Sequence, residues 1–165
     1  MTRKEFILDQ MQRAYAGEAW HGDSLKELLA GVDGAAAAAR PVPGGHNIWE
    51  LVEHIGAWMK AAIRRMHSDP AKLSPEEDWA PSGDLSEAAW ERTLAKLEAD
   101  HNRLKEEIRT LPEASLDNIV PGKTHSIEFL LHGILQHTLY HCGQIALLKK
   151  AAIAPETLAT EVRVA

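Results

Sequence analysis

Two histidines one helical turn apart define the chemistry open to this sequence. His137 and His141 stand in FLLHGILQHTLYHCGQIALLK, residues 129–149, which reads as a long helix. Residues at i and i+4 of a helix share a face. At 100° per residue Leu130, Ile134, Gln144 and Leu148 fall on that same face, so both imidazoles sit in an apolar stripe. Two neutral imidazoles at this spacing can bind one metal ion, as in H-E-x-x-H helices. The glutamate base of that motif is missing, because Thr138, Leu139 and Tyr140 lie between the two. By itself the pair reads more economically as hydrogen-bonded core histidines. A metal would need a third ligand from elsewhere.

Other residues offer parts of such a site. The chain holds nine histidines. His54, in Leu51-Val-Glu-His54-Ile-Gly-Ala-Trp58, borders the apolar arc of its helix beside Leu51, Trp58 and Ala61. Spacing alone leaves it either a ligand or, more economically, a histidine held by a structural hydrogen bond. Trp58 is placed to line a pocket beside it. His101 falls on a helix seam, and Glu98-x-x-His101 matches one element of di-iron bundles. Those need a second Glu-x-x-His facing inward from a helix, and the other one here, Glu18-x-x-His21, falls in a loop. His101 is therefore read as buried or pocket-lining. Haem is a poor fit, since residues at i and i+4 cannot take both axial positions of one iron. Cys142 points about 100° away from His141 and is read as a small buried hydrophobe. His21, His46, His67 and His125 fall in loops or at helix ends, where solvated or capping roles are the default; His132 is unassigned. The five tryptophans are read as core and loop anchors.

Composition bounds the setting. The 165 residues suit one domain spanning 1–165, large enough for its own core. Acidic residues outnumber basic ones 24 to 18, giving a net charge of −6 with no basic block. Nucleic acid and anionic membranes are therefore excluded as expected partners. A single cysteine rules out an intrachain disulfide and suits a reducing compartment. No segment has 18 apolar residues in a row, and the first fifteen residues carry charges throughout. The expectation is a soluble cytoplasmic protein.

Helices must position these side chains, and the chain is rich in helix starts. Thr2-x-x-Glu5, Ser24-x-x-Glu27, Asn47-x-x-Glu50, Ser74-x-x-Glu77 and Asp84-x-x-Glu87 fit or resemble the capping box. Long helices are expected over about 3–16, 48–67, 85–111 and 125–152, the last capped by Thr124. Short ones are expected at 24–29, 35–39 and near 74–77. Pro41-Val-Pro-Gly-Gly breaks the chain cleanly, the segment through Pro121-Gly122 is expected to be a loop, and the tail beyond Pro155 to be peripheral. Four long amphipathic helices make an all-α four-helix bundle with short extra helices in its long connections. Linkers of unequal length leave helix order and handedness open.

These elements resemble a known family. His46-Asn-Ile-Trp-Glu-Leu-Val-Glu-His54-Ile-Gly-Ala-Trp58, followed by Leu131-His-Gly-Ile-Leu-Gln-His137-Thr-Leu-Tyr-His141-Cys-Gly-Gln144-Ile, and the early Ala19-Trp20-His21-Gly22, resemble the DinB/YfiT-like superfamily over essentially the whole chain. The resemblance implies a four-helix bundle with one divalent metal held by three histidines, here His54, His137 and His141, and a homodimer. It also implies a metal-dependent thiol transferase or hydrolase, or a protein with no catalysis. Three neutral imidazoles leave an open coordination position, the layout of a catalytic zinc site. Zinc or nickel heads the expected metals, with iron or manganese next and copper also suited to imidazole. The expected partner is a small-molecule substrate or a low-molecular-weight thiol. Glu50, one turn before His54, is a candidate carboxylate to orient that ring, or else only the capping-box partner of Asn47. Gln144, one turn beyond His141, is a candidate hydrogen-bond partner of a ligand.

Overall fold

The computed structural model describes residues 1–70, 72–80 and 83–153; the tail beyond Pro155 lies outside them. Its helices are α1 (Arg3–Ala16), α2 (Leu25–Leu29), α3 (Gly34–Ala38), α4 (Ile48–Met66), α5 (Pro75–Asp78), α6 (Glu87–Thr110) and α7 (Ile127–Ile153). No strand occurs among the described residues, only an isolated bridge between Ile119 and Ser126. The fold is an all-α bundle of α1, α4, α6 and α7. α4 packs against both α6 and α7, and so does α1, which places α1 diagonal to α4 and α6 diagonal to α7. Sequence spacing leaves this order open, and packing decides it.

Local chemistry explains most of the helix starts. Thr2, Ser24, Asn47 and Ser74 each accept a bond from the backbone N–H three residues on, and the glutamate there accepts from the cap residue's own N–H. Two expected caps are displaced. α6 is capped by Ser86, which accepts from the Ala89 N–H, whereas Asp84 accepts from the Ser86 N–H at 2.9 Å. Glu87 is thereby freed to accept from the Gly34 N–H at 2.6 Å, tying α3 to α6. At α7 the Ser126 hydroxyl, not Thr124, accepts from the Phe129 N–H at 3.2 Å. The preceding chain first folds back on itself, through Val120 N–H to His125 carbonyl at 3.0 Å and Ile127 N–H to Asn118 carbonyl at 2.9 Å, and this postpones the helix. The segment after Pro112, expected as loop, contains a 3-10 turn at Glu113–Asp117. Arg3 bonds to Asp117 there at 2.8 Å and to Glu128 of α7 at 3.1 Å.

α4 is the innermost helix, with 14 of its 19 residues buried. Each large apolar side chain so buried contributes about 1.5–3 kcal/mol relative to exposure. Gly56 matters to that packing: a Cβ there would lie 3.2 Å from the Asp100 carboxylate of α6. Trp49 and Trp90 meet in the core at 5.1 Å between centroids, and the Trp90 N–H donates to the Val32 carbonyl at 2.7 Å. Trp20 departs from the expectation of an anchor, since its side chain is fully exposed. α7 has no Asp, Glu, Lys or Arg between Glu128 and Lys149, and Phe129, Tyr140 and Leu147 lie exposed along it. Among the described residues, no helix is long and apolar enough to cross a membrane.

Candidate metal centre

The α4–α7 contact brings together three imidazoles from distant parts of the chain. His137 Nε2 lies 3.0 Å from His54 Nε2 and 3.0 Å from His141 Nε2. One ligand nitrogen from each residue falls within 4.8 Å of the others. Two nitrogens on one ion, each about 2.0–2.1 Å from it, stand roughly 3–3.4 Å apart. His54 and His141 are buried and His137 is half-buried.

The far sides of the rings show which nitrogen carries hydrogen. His54 Nδ1 sits 2.7 Å from the Asp78 backbone carbonyl, which can only accept, so Nδ1 bears the proton. The Asp78 carboxylate lies 3.1 Å from the same nitrogen and accepts the Trp58 indole N–H at 2.8 Å. His141 Nδ1 meets Gln144 Oε1 at 2.6 Å, while the Gln144 amide nitrogen faces the Tyr140 hydroxyl at 3.5 Å. Both Nε2 atoms therefore present lone pairs toward His137. If His137 Nε2 carries a proton it satisfies only one of them, and otherwise three lone pairs face a common point. His137 Nδ1 is buried with no hydrogen-bond partner. This donor set is frustrated as a set of hydrogen bonds and fits a cation.

Burial keeps His137 and His141 neutral. Burial, reinforced by His141 and His54, pushes His137 down to about 3. Burial also lowers His141, against an opposing hydrogen bond from Gln144. Neutral imidazole is the form that ligates metal.

Trp79 covers one side of the cluster, stacked on His54 at 3.8 Å, and His46 stacks on its other face at 3.5 Å. Trp58 adjoins the cluster, with its ring 5.4 Å from that of His137. Gln144 touches His141, as its spacing suggests. Glu50 is placed elsewhere: it accepts from the Asn47 N–H at 3.2 Å, pairs with Arg40 and meets His46 at 3.2 Å. Against the upward push of burial, the bonds from Arg40, Asn47 and His46 hold its carboxyl below the usual range. His101 also lies apart, its ring stacked on Tyr15 at 3.8 Å between α6 and α1. Cys142 is buried, and burial raises its thiol to about 11. Sequence reasoning missed Asp78 and Trp79. The Ser74 capping box marks α5, but nothing in the spacing says that the helix folds over His54.

Fold and site together define an all-helical bundle with a three-histidine cluster suited to one metal ion between two of its helices. The chain belongs to the DinB superfamily, whose family profile matches residues 19–145. Comparison with curated proteins and with solved structures finds no significant match.

Proposed function

We propose that the protein binds one divalent metal ion through His54, His137 and His141 and acts as a metal-dependent enzyme on a small molecule, by thiol S-transfer or by hydrolysis. The observation that carries this reading is the facing of three Nε2 atoms, with the His54 and His141 rings held from behind by Asp78 and Gln144. Three imidazoles leave the ion its full double charge and an open position, so it would supply Lewis-acid activation of a water or a thiol. Zinc or nickel heads the candidates, before iron or manganese. The chain's own part is positional. Asp78 and Gln144 fix ring orientation and tautomer at His54 and His141, Trp79 shields His54 from water, and burial keeps His137 and His141 unprotonated. Two further readings go with this one: work in a reducing, cytoplasmic setting that suits the single buried thiol, and a homodimer formed through the uncharged outer face of α7.

Elemental analysis of the purified protein tests the centre. About one metal ion per chain is expected for the wild type, and almost none when His54, His137 and His141 are all alanine; equal metal in both would refute the site. A second reading has its own support, since the ligands pin α4 to α7 and two of them are buried. In that reading the metal is a staple. EDTA should lower the melting temperature in either case. Absence of turnover across thiol and ester substrates by fully loaded protein would favour the staple. A folded His54→Ala variant that has lost turnover would favour the enzyme.

A further inference from the structure

Beside the histidine cluster, α4, α7 and the loop before α4 frame a pocket of about 270 Å³. Leu51 lines it from α4, three residues before His54, and Gln144 lines it from α7, three residues beyond His141. At 1.5 Å per residue the pocket begins about 4.5 Å from the cluster along either helix. Gln144 belongs to both, since its Oε1 accepts from His141 Nδ1 at 2.6 Å. Among the described residues no Asp, Glu, Lys or Arg lines the pocket. Its two polar side chains are already engaged, Gln144 with His141 and His46 with Glu50 and the face of Trp79. What remains is aliphatic, chiefly Val42, Leu51 and Leu148. A water's share of liquid volume is about 30 Å³, so the pocket has room for a group of about nine non-hydrogen atoms.

The outer wall supplies an independent observation, because it is fixed without a ligand. Gly44, at φ +73°, turns the chain, and the Gly45 N–H donates to the Val42 carbonyl at 3.1 Å. A Cβ at Gly45 would lie 3.3 Å from Val42 Cβ and Cγ1, so the missing side chain lets Val42 settle against the turn. Arg40 ties this turn to α4, donating to the Gly45 carbonyl at 2.8 Å and to the Glu50 carboxylate. Leu51 and Leu148 form a buried floor, whereas Val42 is 52% exposed at the mouth. A preformed apolar wall of this kind costs a ligand little in ordering.

We propose that the small molecule handled at the histidine cluster carries an uncharged apolar group beside its reacting atom, and that this group seats between Val42, Leu51 and Leu148. A charged group in that place would lose water and meet no counter-ion. The assignment rests on the metal-dependent reading above and names the substrate class for that same site.

Calorimetric titration of the zinc-reconstituted full chain tests it with three hydroxamates that share a zinc-chelating head: acetohydroxamate, hexanohydroxamate and adipate monohydroxamate. Hexanohydroxamate should bind about tenfold or more tightly than acetohydroxamate, the gain that burial of two of its extra methylenes would give. The adipate probe, equally long but ending in a carboxylate, should stay within about threefold of acetohydroxamate. Val42→Asp makes the mouth polar and Val42→Trp fills it. Each should remove the advantage of hexanohydroxamate while zinc content and acetohydroxamate affinity stay unchanged. Hexanohydroxamate that binds no better than acetohydroxamate, an adipate probe that matches it, or an advantage that survives either variant would overturn the pocket assignment and leave the metal site standing. Should the chain take up no zinc, the metal reading fails by itself. The pocket is then judged by saturation-transfer NMR with indole on metal-free protein, where a signal from wild type that both variants lose supports it and any other result refutes it.

Discussion

Asp78 reaches His54 twice, through its backbone carbonyl and its carboxylate, and takes the Trp58 indole N–H as well. A partner of this kind fixes the tautomer and makes the ligating nitrogen more basic, and losing one weakens metal affinity about 10–100-fold. Asp78→Ala removes the carboxylate but keeps the backbone carbonyl that fixes the tautomer, so zinc binding is expected to weaken by about tenfold, the low end of that range and less than removal of His54 itself, as read by competition with a chromophoric chelator. Glu50→Gln is the control. Its carboxylate serves Arg40, His46 and the α4 cap, so zinc affinity should stay within about twofold of wild type. An equal loss in both variants would show that the two carboxylates had been assigned the wrong way round.

At the N-terminus of α4, Asn47 joins two connections. Its side-chain oxygen accepts the Glu50 N–H at 2.8 Å, and its amide donates to the Ala38 carbonyl at 3.2 Å, holding the end of α3 against the start of α4. Asn47 is 2% exposed, so truncation removes a cap and leaves a carbonyl without its donor. Asn47→Ala should cost about 1–2 kcal/mol in chemical denaturation, whereas a loss below about half a kilocalorie would mean that water takes over both roles. Caps of this type are local, which is why they can be read from the chain: Thr2, Ser24, Asn47 and Ser74 all form as their spacing predicts. Ser86 and Ser126 displaced Asp84 and Thr124 because longer-range bonds, from Gly34 to Glu87 and across the Asn118–Ile127 fold-back, compete for the same groups. The i, i+4 pair on α7 was likewise legible. The approach of His54 was suggested by resemblance rather than spacing, and Asp78 was not legible at all. Its position depends on how a connection of some twenty residues closes over α4, and one-dimensional periodicity does not encode that.

Acid should unfold the bundle before its carboxylates alone would require. Burial, followed by the charge of Lys105, pushes His101 from 6.5 down to about 4, and burial pushes His137 down to about 3. Between those values and 6.5 the unfolded chain binds protons that the folded chain refuses. The resulting stabilisation is complete above pH 6.5 and disappears as the pH falls toward 4 and then 3. For His101 the full shift corresponds to roughly 3 kcal/mol. The urea midpoint of metal-free protein is expected to fall steadily from pH 7 to pH 4. His101→Phe, which keeps a ring against Tyr15 but cannot charge, should flatten that slope. An unchanged slope would show that His101 takes up its proton in the folded state at an ordinary pH.

The cluster is also spread along the chain in a way that bears on biosynthesis. His54 precedes His137 by 83 residues, with Asp78 between them. At 5–20 residues per second a ribosome makes that stretch in roughly 4–17 s. Through that interval the nascent chain carries only isolated imidazoles, each a weak and exchangeable ligand for passing cations. In the metal-binding reading, tight capture would wait until the last long helix has emerged and docked, which would make cofactor loading a late event that reports a finished fold.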